Sequence, residues 1–425
     1  MSYEEAIDFL FTSLPVFQRE GASAYKPGLQ TSVALDDIFD NPHRAYRTIH
    51  IAGTNGKGST AHTLAAVLAR AGYKTGLYTS PHIFDFRERI RVNGRKISKE
   101  AVVDFVERWK RTGSELSPSF FELTSTMAFE HFAREKVDVA VIETGLGGRL
   151  DSTNIITPVL SVITNISLDH TSLLGDSLPK IAFEKAGIIK PGVPVVIGER
   201  QPETDAVFEA KAAEVGAPLR YATPLGYRME SDCIHYPSTP FGEIRGELTG
   251  ECQVKNAATI VAALEELREC GFSIPDAAVA EGFANVCGDT GLMGRWTTLR
   301  REPLTVCDTG HNIGGWEYIA RQLSEREKGR VHLIVGFVND KDISAILRKI
   351  ASVKADMSLY FSAPSVPRGL KADTLAEKGA GFGLTGAVVP DVNEALAAAT
   401  AAAAPDDLIL IAGSNFLVAD LKISD

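Results

Sequence analysis

The 425-residue chain is poor in cysteine, and its five thiols (Cys233, Cys252, Cys270, Cys287 and Cys307) form no C-x-x-C pair. Their odd number precludes full internal pairing, so reduced thiols are expected rather than a disulfide framework. A long apolar run is also missing: no stretch approaches the roughly 18 residues needed to span a bilayer. The first residues, MSYEEAIDFLFTSLP, carry acids where a secretory leader carries bases. These absences together predict a cytoplasmic location. Basic charge is in deficit as well, with a net charge of −10, which argues against a general nucleic-acid binder. A local basic pocket for a small anion stays open. What is present is ordinary soluble composition, 44% hydrophobic and 23% charged. The length exceeds the roughly 250 to 300 residues at which one core stops growing, so two domains are expected.

The most informative stretch is IHIAGTNGKGST, Ile49 to Thr60. Ile49, Ile51 and Ala52 can end a buried strand, and Gly53, Gly56 and Gly58 allow a backbone turn tight enough to wrap an anion. Leu64, Val67 and Leu68 then follow at helical spacing, so the loop presents amides at a helix start, where the dipole favours negative charge. Lys57 would neutralise a phosphate, and the hydroxyl of Ser59 or Thr60 could reach a metal or a phosphate oxygen. The match to G-x-x-x-x-G-K-[ST] is imperfect, because Ile51 replaces the first glycine and Gly58 follows Lys57.

Around this loop the pattern alternates between strand and helix. An amphipathic helix over Tyr3 to Leu14, a loop with Tyr25, Lys26, Pro27 and Gly28, and short helices near Leu35 and Asn41 to Pro42 precede it. Lys74 to Thr79 reads as a strand running into Ser80, Pro81 and His82. FDFRERIRVNGRKIS predicts a hairpin with an Asn93-Gly94 turn, and a helix capped by Ser98 follows. A polar loop from Gly113 to Ser119 separates it from a helix containing Thr124 to Arg134. Val137 to Thr144 is apolar enough for a central parallel strand, and Val159 to Ile166 is another. A helix over Leu178 to Ile189, a strand over Val193 to Gly198 and a helix over Thr204 to Val215 extend the series. Mixed β-like runs occupy Leu219 to Gly250, and helices over Asn256 to Cys270 and Pro275 to Val286 complete a first domain. The alternation restarts at LTVCDTG and runs to DLILIAG, with an alanine-rich helix over Asn393 to Ala404. The prediction is an α/β chain of two doubly wound domains, residues 1–296 and 297–425, without tandem repeats.

In open α/β sheets ligands gather at the carboxyl ends of strands. That rule draws together the phosphate loop, Ser80 with His82, Glu143 with the glycines behind it, and Asp169 with His170. Glu143 is a metal ligand or general base, or else a strand-end carboxylate in a solvated turn. His170 beside Asp169 could share a divalent cation with Glu143, although a lone histidine is more often structural. Lys185, read alone, is a solvated helix residue.

GTNGKGS at Gly53, TSPH at Thr79, ETGLGGRLDSTN at Glu143, LDH at Leu168 and FEKAGIIKPG at Phe183 occur in one order. NAA at Asn256, GRW at Gly294, DTGHN at Asp308 and GS at Gly413 extend the series over nearly the whole chain. Together they resemble the folylpolyglutamate synthase and dihydrofolate synthase family of the Mur ligase superfamily. The resemblance implies an ATP-dependent ligase that adds L-glutamate to dihydropteroate, to reduced folates or to both. Gly53, Thr54, Asn55, Gly56, Lys57, Gly58 and Ser59 would hold the ATP phosphates. Asn256, Arg295, Asp308 and His311 would complete the nucleotide site. Ser80 and Glu143 would hold one Mg²⁺, and Glu143, His170 and a carbamate on Lys185 a second. That assignment moves the metal from Ser59 to Ser80. Lys57, Glu143, His170 and Lys185 would be the catalytic set. Pterin would lie near Ser119, Phe120, Phe121 and Glu122 and near Leu150, Asp151 and Ser152, and glutamate near Ser414. A monomer without nucleic-acid or membrane partners is expected.

Three departures from the family pattern stand out. Cys252 precedes Gln253 where the family has a His-Gln pair, Met293-Gly294-Arg295 replaces Pro-Gly-Arg, and Asp308-Thr309-Gly310-His311-Asn312 replaces Asp-Gly-Ala-His-Asn. A peptidoglycan-type Mur ligase is the nearest rival, disfavoured by the short segment before the phosphate loop. A non-catalytic nucleotide-binding module is the other, and it leaves Glu143, His170 and Lys185 unexplained.

Overall fold

A computed structural model describes residues 1–16, 28–339 and 342–422. The loop expected at Tyr25, Lys26 and Pro27 lies outside the described residues. The chain divides into two compact units, Met1–Glu247 with Gln253–Leu292, and Leu248–Cys252 with Met293–Asp425.

The first unit is built on eight strands: β1 (Arg47–Ala52), β2 (Thr75–Tyr78), β3 (Ile90–Val92), β4 (Arg95–Lys96), β5 (Val139–Glu143), β6 (Leu160–Ile163), β7 (Val195–Ile197) and β8 (Leu219–Tyr221). Their order is β4-β3-β2-β5-β1-β6-β7-β8. The six strands from β2 to β8 in that order run parallel, whereas β3 pairs antiparallel with both β2 and β4. β1 is central, flanked by β5 and β6, so the sheet's order reverses beside it and opens a crevice at its carboxyl end. Because both faces are covered, β5 is apolar up to Glu143, β1 is buried from Thr48 to Ala52, and Ile49, Ile51, Val141 and Ile142 are fully buried. The helix Lys57–Arg70 that follows β1 is itself buried from Gly58 to Leu68. It packs on the helix Asp276–Ala284, where Gly282 lies so close that an added Cβ would stand 2.8 Å from the Val67 backbone nitrogen. A small antiparallel sheet, β9 (Arg228–Met229), β10 (Ile234–Thr239) and β11 (Gly242–Gly246), adds Tyr236 and Ile244 to the same core.

The second unit has six strands, β12 (Thr297–Arg301), β13 (Leu304–Asp308), β14 (Val331–Val335), β15 (Met357–Phe361), β16 (Gly386–Val388) and β17 (Leu408–Ala412), in the order β12-β13-β17-β14-β15-β16. All but the antiparallel edge strand β12 run parallel. Trp316, Leu333, Leu375 and Leu410 are fully buried in its core.

Several elements differ from the sequence expectation. The helix expected to contain Thr124 to Arg134 spans Phe120–Glu135, directly after the polar loop, because Ser119 and Glu122 form a reciprocal capping box. The helix expected to reach Ile189 ends at Ala186, where Gly187 is pressed against the Arg149 backbone. The edge strands β12 and β16 and the helix Ala372–Ala380 have no counterpart in the expected series. Among the described residues, no helix is long and apolar enough to cross a membrane.

Candidate active site

The phosphate loop leaves β1 with Gly53 at φ 150° and Gly56 at φ 84°. Both conformations favour glycine. At Gly53 a Cβ would collide with Thr164 Oγ1, and at Gly56 with Asn256 Oδ1. The loop is pinned to the end of β6: Thr54 N donates to the Asn165 carbonyl at 2.8 Å, and Asn55 N donates to Asn165 Oδ1 at 3.0 Å. Thr54 Oγ1 donates to the Ser167 carbonyl at 3.1 Å, and Thr164 Oγ1 to the Asn55 carbonyl at 2.6 Å. Gly56 is the N-cap of the following helix and no side chain caps it, so its first amides face the loop's concave side as an anion cradle. Ser59 is tied elsewhere: Gln253 Nε2 donates to its Oγ at 3.2 Å, and Asn256 Nδ2 donates to Gln253 Oε1 at 2.8 Å.

Two lysines converge on this loop. Lys57 Nζ donates to the carbonyls of Gly53 and Thr54 at 3.0 and 3.2 Å, and Lys185 Nζ donates to the same Gly53 carbonyl at 2.8 Å. Burial, then the Lys57 charge, push the Lys185 ammonium down to about 7, against the pull of Asp169 and Asp151. The solvated-helix reading of Lys185 is therefore wrong, since the residue is 3% exposed. The helix that carries it is clamped by the loop after β5. Arg149 N donates to the Glu184 carbonyl at 2.7 Å, Arg149 pairs with the Glu184 carboxylate at 2.9 Å, and Asn154 Nδ2 donates to the Arg149 and Gly187 carbonyls.

Glu143 ends β5 as a buried carboxylate, and its Oε2 accepts the Ser80 amide at 3.1 Å. Ser80 and Glu143 are thus brought together. His170 takes φ 50°, and its amide donates to Asp169 Oδ1 at 2.9 Å. Asp151 organises the glycine-rich loop. Its Oδ2 accepts the Gly145 and Leu146 amides, both at 2.8 Å, and its Oδ1 accepts the Thr153 amide at 3.0 Å and hydroxyl at 2.5 Å. Four donors fill the acceptor capacity of one carboxylate, so the side chain shapes the loop, in which Asp151 and Ser152 are buried and Leu150 is partly exposed. Burial nonetheless pushes the Asp151 carboxyl up from its usual range.

Of the paired phenylalanines, Phe120 is core: it is 4% exposed and its ring lies 4.8 Å from Phe11 and 6.0 Å from Phe86. Phe121 is half-buried, and its ring occupies the space that a Cβ on Gly145 would take. Glu122 folds back on its own helix start, accepting both the Ser119 amide and its hydroxyl.

In the second unit Asp308 accepts the Trp296 amide at 2.8 Å and the Gly310 amide at 2.7 Å. Arg295 donates to the Thr309 hydroxyl and the Gly294 carbonyl, and His311 Nδ1 lies 3.0 Å from the Thr309 carbonyl. Burial and Asp308 push the Cys252 thiol up to about 12, which leaves it an inert neighbour. Ser414 caps the last helix through the Phe416 amide. Sequence reasoning missed Thr164, Asn165 and Ser167 as loop supports, although NISLDH at the end of β6 carried the signal. It also missed Arg89 and the His50–Thr153 pair, for which the sequence holds no signal.

A switch-point phosphate loop, a buried strand-end carboxylate and a second parallel-sheet unit define a Mur-type ligase. Residues 51–264 match the Mur ligase middle domain and residues 294–415 the Mur ligase glutamate ligase domain. An Escherichia coli dihydrofolate synthase/folylpolyglutamate synthase is 35% identical over 87% of this chain and 84% of its own length. The chain belongs to the folylpolyglutamate synthase/dihydrofolate synthase family of the Mur ligase superfamily. A Halobacterium salinarum relative, named a probable bifunctional folylpolyglutamate synthase/dihydropteroate synthase, is 33% identical over 99% of the chain, which spans about half (51%) of that protein's length. Escherichia coli FolC in complex with DHPP and ADP superposes with a TM-score of 0.85 at 31% identity, covering 99% of this chain and 96% of that one. A Yersinia pestis bifunctional enzyme complexed with AMPPNP and Mn superposes with a TM-score of 0.83 at 29% identity, covering 99% and 97%.

Proposed function

We propose that the chain is an ATP-dependent acid–amino-acid ligase that joins L-glutamate to dihydropteroate and to reduced folates, acting as a cytoplasmic monomer. The observation that carries the reading is the convergence of Lys57 and Lys185 on the Gly53 carbonyl, beside a buried strand-end carboxylate. A passive nucleotide binder has no use for the second lysine. Support for the substrates comes from the DHPP and ADP held by the Escherichia coli relative and from the glutamate ligase domain match.

A carboxylate is a poor electrophile, so the acceptor carboxylate attacks the ATP γ-phosphate, ADP leaves, and an acyl phosphate forms. The glutamate amine then attacks the acyl carbon, phosphate departs, and the amine proton is lost. Lys57, released from its loop carbonyls, and the amides at the helix start bind the transferring phosphoryl group. Phe121 and the Leu150–Ser152 backbone form the pterin side, with Ser119 and Glu122 holding the helix that presents Phe121. Asn256, Arg295, Asp308 and His311 are nucleotide contacts, and Ser414 a glutamate contact.

Ser80, Glu143 and His170 fit a divalent cation of the hard type. The Glu143 carboxylate is buried at the crevice and the Ser80 amide already fixes one of its oxygens. Mg²⁺ at two sites would offset the charge gathered between phosphates and carboxylate. Lys185, as an amine, offers a metal only a repelling cation. A group near 7 is neutral about half the time at neutral pH, however, and a neutral amine adds CO₂ to give the anionic oxygens that a second Mg²⁺ requires.

The test is release of ADP and phosphate that depends on both glutamate and a pterin carboxylate acceptor, with product length read by mass spectrometry. Intact ATP binding with no turnover on dihydropteroate or any reduced folate would overturn the reading. Lys185→Ala should lower kcat by at least a hundredfold and recover in part with added short carboxylates. Undiminished turnover in that variant refutes the carbamate.

A further inference from the structure

Arg89 is the most deeply buried guanidinium near the crevice, 2% exposed. It follows the turn that carries Ser80 and His82, and its carbonyl accepts the Thr79 amide at 3.0 Å. One edge of the guanidinium is fixed, because Nε donates to His82 Nδ1 at 2.8 Å. One face is covered, with the Phe120 ring centroid 5.1 Å from the guanidinium carbon. The two terminal nitrogens have no hydrogen-bond acceptor among the described residues. The carboxylates that act on the group electrostatically are Glu143 and Glu88, and neither forms an ion pair with it. Glu88 spends its oxygens on the amides of Ile83, Phe84 and Asp85.

A guanidinium that is 2% exposed, held in one orientation at Nε, and whose two terminal nitrogens find no acceptor among the described residues is placed to take an anion at its open edge. The planar geometry selects the anion: two parallel N–H groups match the two oxygens of a carboxylate. Phosphate is served in this unit by the loop amides and Lys57. Arg89 instead lies against Phe120, within electrostatic reach of Glu143. On the ligase reading, which this step presupposes, the anion lacking a cationic partner there is the carboxylate of the pterin acceptor.

We propose that Arg89 binds the acceptor carboxylate through its two terminal nitrogens and thereby selects acceptors that carry one, with His82 positioning the guanidinium. The Arg89 contact orients the carboxylate before phosphorylation and leaves the nucleotide site untouched.

The experiment measures equilibrium binding of dihydropteroate and of its carboxamide analogue to the full chain holding a non-hydrolysable ATP analogue, without divalent cation so that metal contributes nothing to the preference. The wild type should favour the carboxylate by about tenfold to a hundredfold, the range for charge-assisted hydrogen bonds. Arg89→Gln should bind the two ligands equally while its affinity for the ATP analogue is unchanged. Arg89→Lys, which keeps the charge and loses the fork, should retain only part of the preference, and it serves as the readout if the glutamine variant melts early. A wild type indifferent to the exchange of carboxylate for carboxamide overturns the proposal, as does a folded Arg89→Gln that keeps the preference. A wild type that binds neither pterin but still binds ATP sinks the ligase reading itself.

Discussion

His50 places a pH-dependent weakness at the centre of the first sheet. It sits on β1 between Ile142 of β5 and Ser161 of β6 and is wholly buried. Thr153 Oγ1 donates its proton to Asp151, so His50 Nε2, 2.9 Å from that oxygen, must be the donor. Nδ1 is left buried without a partner. Burial, and secondarily the charge of Lys190, push the imidazole from its ordinary 6.5 to about 3. The folded state therefore keeps His50 neutral while the unfolded chain protonates it below 6.5. This contribution to stability is complete above that value and is lost as pH falls toward 3. At 1.36 kcal/mol per unit, about 2 kcal/mol is lost between pH 7.5 and 5, and about 5 kcal/mol by pH 3. The perturbation is His50→Gln, whose amide can still donate to Thr153 but does not titrate. Because two units need not unfold together, the assay is pulsed hydrogen exchange across a urea series, read on the peptide spanning β1. The variant should start slightly less stable at pH 7.5 and then lose about 2 kcal/mol less than the wild type on going to pH 5. Parallel pH dependence in the two proteins refutes the reasoning.

Gly56→Ala forces a Cβ into a residue at φ 84° and against Asn256 Oδ1; with about 1 to 2 kcal/mol of backbone strain, calorimetry should show ATP-analogue affinity falling by tenfold or more. Asp151→Asn turns an N–H₂ toward donors that now meet carboxylate oxygen, so steady-state kinetics should show the acceptor KM rising severalfold with the ATP KM nearly unchanged.

Much of the fold was legible because its elements obey strong local rules. β5, β14 and β17 are buried throughout and read as largely apolar runs, broken only by His332 in β14 and ended by Glu143 in β5. Edge elements escape that rule. β12 and β16 alternate poorly and are mostly exposed, and the helix Ala372–Ala380 has only Leu375 fully buried. Neither composition nor period separates such segments from loop. The helix after the polar loop starts at Phe120, and S-F-F-E at Ser119 to Glu122 is the capping-box spacing that marks such a start.

The site divides along a different line. Glycines, Lys57 and Glu143 announce themselves because each stands at a strand end, where the chain must turn and where ligands collect. Lys185 does not, because burial is a tertiary property: its helix is amphipathic like any other, and only the approach of the Arg149 loop from one side and Gly53 from the other strips it of water. Arg89 and His50 carry the same lesson further. Each lies in a strand-like stretch where arginine and histidine read as solvent-facing residues of an alternating pattern, and each owes its chemistry to packing: His50 Nδ1 is buried without a partner, and the Arg89 side chain is held almost wholly inside with its terminal nitrogens lacking an acceptor among the described residues. A sequence records which groups are polar, whereas the packing decides which of them are left needing a ligand. The unpaired fork of Arg89 is thus the kind of functional signal that only the assembled unit can display.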